Sequence, residues 1–281
     1  MGREENVKIF NDTEKICKEN KTLKEAINLS TQKQQLILEK DSLPEINRER
    51  FEERAKFVIS KKRSFEAAKG YKDVRVAVHN FASASNPGGG VVRGSTAQEE
   101  CLCRCSSLYP SLNDKKMWDG FYNPHRAAKD PIHNDDIIYT PDVIVFKTDT
   151  SEPKLMPETE WYKVDIITCA APNLKPNPTN FFNPSDGNKP VTLKDTELLA
   201  LHEKRLRRIL DVTLMNGADA VILGAFGCGA FKNNPEAVAR ASRNVLKDYM
   251  HAFRYIEYAI YSGRDEKNYS IFERNLRSFV K

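Results

Sequence analysis

No run of eighteen or so apolar residues occurs in this 281-residue chain, so no segment has the composition of a membrane-spanning helix. The start, MGREENVKIF, is polar and lacks the apolar stretch of a secretory signal. Met1-Gly2 does not make an acylation signal either, because position 6 is Asn where Ser or Thr is needed. The expectation is a soluble, cytoplasmic protein. In that setting Cys17, Cys101, Cys103, Cys105, Cys169 and Cys228 should not form disulfides. Cys101, Cys103 and Cys105 lack the two-residue spacing of zinc knuckles and have no His pair nearby, so no metal centre is expected. On a helix, Cys103 points away from Cys101 and Cys105, and the latter two read as small core residues. Charge of one sign is not in large excess. A net charge of +5 favours an anionic ligand without demanding nucleic acid. The basic clusters at Lys61-Lys62-Arg63 and 204–208 read as solvated faces, and no specific nucleic-acid binding is expected.

What the chain does have is concentrated between Phe81 and Tyr109, FASASNPGGGVVRGSTAQEECLCRCSSLY. A strand over 74–78 runs on through Phe81 into Gly88-Gly89-Gly90. Three glycines have no steric reason to sit inside a helix or strand, and they suit a loop whose amides face a ligand. Thr96-Ala97-Gln98-Glu99 fits a capping box, which predicts a helix from Thr96 with Ala97, Cys101, Cys105 and Leu108 on one stripe. Each piece alone has a plainer role: a turn, a cap at Glu99, or a Glu100–Arg104 pair at i,i+4. Together, two carboxylates at a helix start beside a triple-glycine loop make a plausible site for an anionic ligand and an acid catalyst.

A second stretch repeats the layout. Ala220-Val221-Ile222-Leu223 reads as a buried strand and runs into glycines 224, 227 and 229. Asn234-Pro235 then opens a helix. No Gly-Lys-Ser/Thr follows, so this is not a Walker loop, and the glycine spacing is wrong for a dinucleotide fingerprint.

Elsewhere, residues 1–50 read as a helical extension packed on a core domain over 51–281, with Leu36-Ile37-Leu38 a short apolar run, strand or helix, broken by Leu43-Pro44. Phe57-Val58-Ile59, Val143-Ile144-Val145-Phe146, 164–168 and 255–261 read as strands. Residues 110–140 read as partly irregular, with a short strand at 137–139 punctuated by Pro141. Residues 174–192, with four prolines, read as a loop over one face. A long helix from Thr192 or Asp195 ends at Asn216-Gly217, with His202 structural. Alternating strands and helices predict an α/β fold, a three-layer α/β/α sandwich with a mixed sheet. Both glycine loops follow strands, so both are expected to face one crevice at the strands' carboxyl ends.

Gly88-Gly89-Gly90, a seven-residue gap and Gln98-Glu99-Glu100 resemble the signature of poly(ADP-ribose) glycohydrolases. Asn86-Pro87 before the glycines, with Leu102-Cys103-Arg104 and Ser107-Leu108-Tyr109 after them, are similar to the short bacterial type, a macrodomain with a helical N-terminal extension. Gly227-Cys228-Gly229-Ala230-Phe231 resembles the macrodomain diphosphate loop. The resemblance implies cleavage of ribose–ribose O-glycosidic bonds in poly(ADP-ribose) or on ADP-ribosylated protein, releasing ADP-ribose without a cofactor. It makes Glu100 the general acid and Glu99 a holder of ribose hydroxyls. Asn86, Gly88, Gly89, Gly90, Gln98, Gly227, Cys228, Gly229, Ala230 and Phe231 become substrate contacts, with Phe231 fixing the distal ribose. Tyr261 is a candidate to stack on adenine. Two other readings share these loops: a non-hydrolytic ADP-ribose reader and a hydrolase of single ADP-ribosyl groups on protein. A phosphate-binding module for RNA fits the modest charge poorly.

Overall fold

The computed structural model describes residues 2–71, 73–181, 185–187, 189–262 and 266–280. Two helices come first, α1 (Arg3–Glu19) and α2 (Lys21–Lys33), followed by β1 (Gln35–Ile37), β2 (Lys56–Ser60), α3 (Ser64–Ala68) and β3 (Val76–Ala82). Next are α4 (Gln98–Cys105), α5 (Leu108–Leu112), α6 (Lys115–Met117), α7 (Asn123–Ala128), β4 (Ile137–Val145) and β5 (Tyr162–Ala170). The chain closes with α8 (Asp195–Met215), β6 (Ala220–Leu223), α9 (Pro235–Leu246), β7 (Tyr255–Ala259) and α10 (Lys267–Leu276).

The strands form a seven-stranded mixed sheet in the order β1-β4-β5-β3-β6-β7-β2. β4 pairs antiparallel with both β1 and β5, and the other neighbours pair parallel. Alternation along a strand sends neighbouring side chains to opposite faces. On β6, Ala220 and Ile222 join the core under α3, α4 and α5, whereas Val221 and Leu223 join the core under α8, α9 and α10. Helices therefore cover both faces, giving the three-layer sandwich. β3 lies at the centre of the sheet and is buried along nearly its whole length, as a strand covered on both faces must be.

Several local expectations change. The first 50 residues are not purely helical: β1 is an edge strand paired with β4. α1 is bound to the core by polar contacts. The buried Lys147 ammonium donates to Asp12 Oδ2 at 2.7 Å and to the Ile9 carbonyl at 3.1 Å. Thr13 Oγ1 donates to the Arg104 carbonyl at 2.6 Å, and Asn6 Nδ2 to the Gly94 carbonyl at 3.2 Å. Pro141 does not separate two strands. β4 continues through a bulge between Thr140 and Val143, with Asp142 in the left-handed region and its N–H donating to Asp165 Oδ1 at 2.9 Å. A bulge needs no ladder donor at the proline, which is why the strand survives it. Residues 108–128 are short helices rather than irregular chain, held by the fully buried Leu108, Leu112, Met117, Phe121 and Tyr122. Residues 182–184 and 188 of the proline-rich segment lie outside the described residues.

The basic cluster at 204–208 is not a solvated face throughout. Arg205 and Asp135 are each 1% exposed and paired at 2.7 Å. The Arg205 guanidinium also donates to the Ala170 carbonyl at 2.7 Å, fastening the end of β5 to α8. Arg205 falls on the buried stripe of α8 with Leu198, His202 and Ile209, and its fork of donors lets an arginine be buried where carbonyls converge.

Candidate active site

Because β5, β3, β6 and β7 run parallel, their carboxyl ends share one edge of the sheet. A crevice of about 820 Å³ opens there. The first loop and α4 supply Gly89, Gly90, Gln98, Glu99 and Glu100 to its wall. The second loop supplies Gly227, Gly229, Ala230 and Phe231. The two glycine stretches, more than a hundred residues apart in sequence, thus line one cavity.

α4 begins at Gln98, and the Thr96 capping box does not form: Ala97 is the cap residue and offers no side-chain bond. The Glu99 carboxylate turns to the strand instead. Its Oε2 accepts the Ser83 N–H at 2.7 Å, and its Oε1 accepts Asn80 Nδ2 at 3.3 Å. The Gly88 amide also donates to it. Glu100 Oε1 accepts the Gly90 N–H at 2.9 Å, and its Oε2 has no partner among the described residues. Burial is near complete, at 2% exposure for Glu99 and 7% for Glu100. That burial pushes both carboxyl pKa values up, and the neighbouring Glu100 charge pushes Glu99 further; the main-chain donors pull the other way.

The first loop is built around these acids. Gly88 and Gly89 have φ of 64° and 58°, the left-handed region that favours glycine. A Cβ on Gly89 would lie 2.7 Å from Glu100 Oε1 and 3.1 Å from Glu99 Oε2. Gly89 N–H donates to the Asn86 carbonyl at 3.0 Å, closing the turn. The amides expected to face a ligand are therefore engaged with the acids or with the loop itself.

The second loop is held from behind. Asn233 Nδ2 donates to the carbonyls of Pro172 at 2.7 Å and Phe231 at 3.2 Å. That orientation turns its Oδ1 toward His202 Nε2, 2.7 Å away, so this nitrogen carries the proton. Burial holds the His202 pKa down to about 4, so the ring stays neutral. The amides of Gly229, Ala230 and Phe231 donate to no acceptor among the described residues. The Phe231 ring faces the crevice with His133 beside it, centroids 5.9 Å apart.

Other expected residues sit differently. Asn86, Gly88 and Cys228 are not among the lining residues, although their loops are. Gly88 is closely packed by Tyr109, Val91 and Cys103, and the Asn86 carbonyl accepts the Gly89 N–H. Gln98 lines the crevice, but its amide is engaged at both ends: Oε1 accepts Phe81 N–H at 2.9 Å, and Nε2 donates to the His79 carbonyl at 2.7 Å. It fastens α4 to β3. Among the cysteines Cys105 is a core residue as expected, but Cys101 and Cys103 exchange places: Cys103 is fully buried, whereas Cys101 is half-buried beside the guanidinium groups of Arg63 and Arg104. The helix ends at Cys105, so the stripe does not reach Leu108. Tyr261 lines the crevice, 55% exposed, with the Arg63 guanidinium 4.0 Å from its ring centroid. Sequence reasoning missed Asn80, Ser83, Arg63, Lys175 and Asn233 as residues that build or line the site. None stands in a pattern of its own, since each is recruited by where the backbone goes. Among the described residues no His, Cys, Asp and Glu group has the geometry to hold a metal ion, and no helix is long and apolar enough to cross a membrane.

Residues 3–148 match the family model for the microbial-type PARG catalytic domain, PARG being poly(ADP-ribose) glycohydrolase. Among solved structures, PARG from Thermomonospora curvata matches with a TM-score of 0.80 at 24% identity, covering 96% of this chain and 98% of that chain. PARG from Deinococcus radiodurans in complex with ADP-ribose matches with a TM-score of 0.73 at 29% identity, covering 91% of this chain and 98% of that one. No curated protein matches the chain. The family model spans just over half of the sequence and includes both glutamates and the loop that holds them, so the chain belongs to the microbial-type PARG catalytic-domain family.

Proposed function

We propose that this protein hydrolyses the ribose–ribose O-glycosidic bonds of poly(ADP-ribose) to release ADP-ribose, with Glu100 as the general acid. The supporting observation is the asymmetry of the two carboxyls. Both oxygens of Glu99 accept hydrogen bonds, which suits the ionised form. Glu100 has one oxygen pinned by Gly90 and the other without a partner among the described residues, which suits the form that carries and gives a proton. Burial favours a protonated carboxyl in this pair; the Glu100 charge adds to this at Glu99, while the hydrogen bonds that Glu99 accepts oppose it, and Oε2 of Glu100 is where a proton is available to a leaving group.

Glycosidic cleavage develops an oxocarbenium-like sugar and a negative leaving oxygen. Protonation by Glu100 Oε2 relieves the second. The fixed Glu99 carboxylate accepts hydrogen bonds from ribose hydroxyls and favours the positive charge of the first. The open amides of Gly229, Ala230 and Phe231 suit the diphosphate, with Phe231 against the distal ribose. The Deinococcus radiodurans relative was solved with ADP-ribose, which supports this occupant for the crevice.

The test is Glu100→Gln. ADP-ribose affinity, measured by calorimetry, should stay within a few-fold of wild type, while kcat for ADP-ribose release should fall by a factor on the order of 10³. Release at near wild-type rate would remove Glu100 from the mechanism.

A further inference from the structure

Lys232, the cation that follows Phe231 in the second loop, is exposed and is not among the crevice's lining residues, but the neighbouring segment brings another lysine in. Lys175 lines the crevice and is half-buried, with its ammonium 5.7 Å from the Phe231 ring centroid. Its position is set by the main chain. Leu174 N–H donates to the Phe231 carbonyl at 2.9 Å, and Lys175 N–H to Asn173 Oδ1 at 3.4 Å. Asn173 is itself buried and donates from Nδ2 to Asp186 Oδ2 at 2.8 Å. The segment is therefore clamped to the loop that carries Phe231.

A half-buried ammonium is costly to keep without a counter-charge. Lys175 has no salt bridge among the described residues. Burial lowers its pKa, the nearby Lys232 lowers it further, and the charges of Asp186 and Glu100 act the other way. Of the other two lining cations, Arg63 is stacked on Tyr261 and bonded to Cys101, and Arg3 belongs to the first turn of α1.

We propose that Lys175 is a phosphate-binding residue of this crevice, its ammonium reaching past Phe231 to a diphosphate oxygen. This rests on reading the crevice as an ADP-ribose site. The diphosphate has two possible sources: the ADP-ribose unit in the crevice, or the next unit along the polymer. A charge-assisted bond to phosphate predicts a loss on the order of tenfold when the cation is removed.

The experiment compares wild type with Lys175→Met, Lys175→Gln and Lys175→Arg, each checked by thermal melting. ADP-ribose is titrated calorimetrically at low and high salt, and KM and kcat are measured on poly(ADP-ribose). If the bound unit is the partner, Met and Gln weaken ADP-ribose about tenfold at low salt, the gap narrows at high salt, and Arg restores most of the affinity. If the next unit is the partner, ADP-ribose affinity is unchanged and KM for the polymer rises about tenfold with kcat kept. Unchanged values in both assays overturn the proposal, as does a loss that salt does not diminish and Arg does not rescue. A wild type that binds no ADP-ribose removes the ADP-ribose reading itself, a failure seen without any variant.

Discussion

The two glycine loops leave parallel neighbouring strands and line the same crevice, yet they are built for opposite tasks. In the first, the amides of Gly88 and Gly90 are engaged with Glu99 and Glu100, and the glycines leave room for the carboxylates. In the second, Asn233 and His202 fix the loop from beneath, and the amides of Gly229, Ala230 and Phe231 have no acceptor among the described residues. One loop is spent on the two carboxyls, and the other is the loop proposed above to receive the ligand. A glycine-rich sequence alone does not distinguish these tasks; the destination of each N–H does.

The contrast can be broken first at Gly89. An alanine there must adopt a φ of 58° and place its methyl 2.7 Å from Glu100 Oε1. Gly89→Ala should lower kcat by roughly a hundredfold through the misplaced acid, with ADP-ribose affinity changed much less. Equal losses in both would show that the first loop also holds the ligand.

Next is Asn233. Truncation to alanine leaves the buried His202 N–H and the Pro172 carbonyl unpaired and should destabilise the fold by about 1–3 kcal/mol in denaturant unfolding. It should also raise KM more than it lowers kcat, because the ligand loop loosens while the acid stays in place. A kcat defect with normal KM would contradict the division of labour.

The acids themselves give a pH test. Folding raises the pKa of both carboxyls, so the folded chain holds its protons more tightly than the unfolded chain. Their contribution therefore becomes less favourable as pH rises from the ordinary carboxylate range through the raised values. Glu100→Gln removes one such group and lowers the pKa of Glu99 by removing its like-charged neighbour. Its Tm relative to wild type should increase from about pH 4 to about pH 8. A Tm difference that is flat across that range would mean that Glu100 titrates normally.

The smallest effect on stability is expected at Gly229. Its φ is not in the left-handed region, and a Cβ would meet nothing within 4 Å. Gly229→Ala should leave unfolding stability within about 0.5 kcal/mol of wild type while weakening ADP-ribose several-fold, since only the ligand approaches this backbone. Gly227, with φ of 76° and Asn233 2.8 Å from the added Cβ, should respond in stability first.

The strands were legible in the sequence because a sheet covered on both faces demands apolar runs, as in β3 and β6. The glycine loops and the glutamate pair were legible because residue types with few alternative uses cluster there. The short helices over 108–128 were not, since none is long enough to show a period and aromatic burial decides them. Arg205 was misread because a basic run looks solvated until carbonyls from distant chain segments converge on it. Asn233 and Lys175 were invisible for a related reason: each owes its role to a backbone atom elsewhere.

The wall behind the acid depends on the first helix to be made. A methyl at Gly94 would lie 2.3 Å from the Arg3 carbonyl, so α1 presses directly on the turn leading into α4. Its polar anchors span 88, 91 and 138 positions of sequence, at Gly94, Arg104 and Lys147. During synthesis, α1 therefore leaves the ribosome long before anything it can dock against exists. Docking of the wall behind the acid is thus a late event, timed by the emergence of Lys147, and the crevice itself closes only once the second loop at 227–231 has followed.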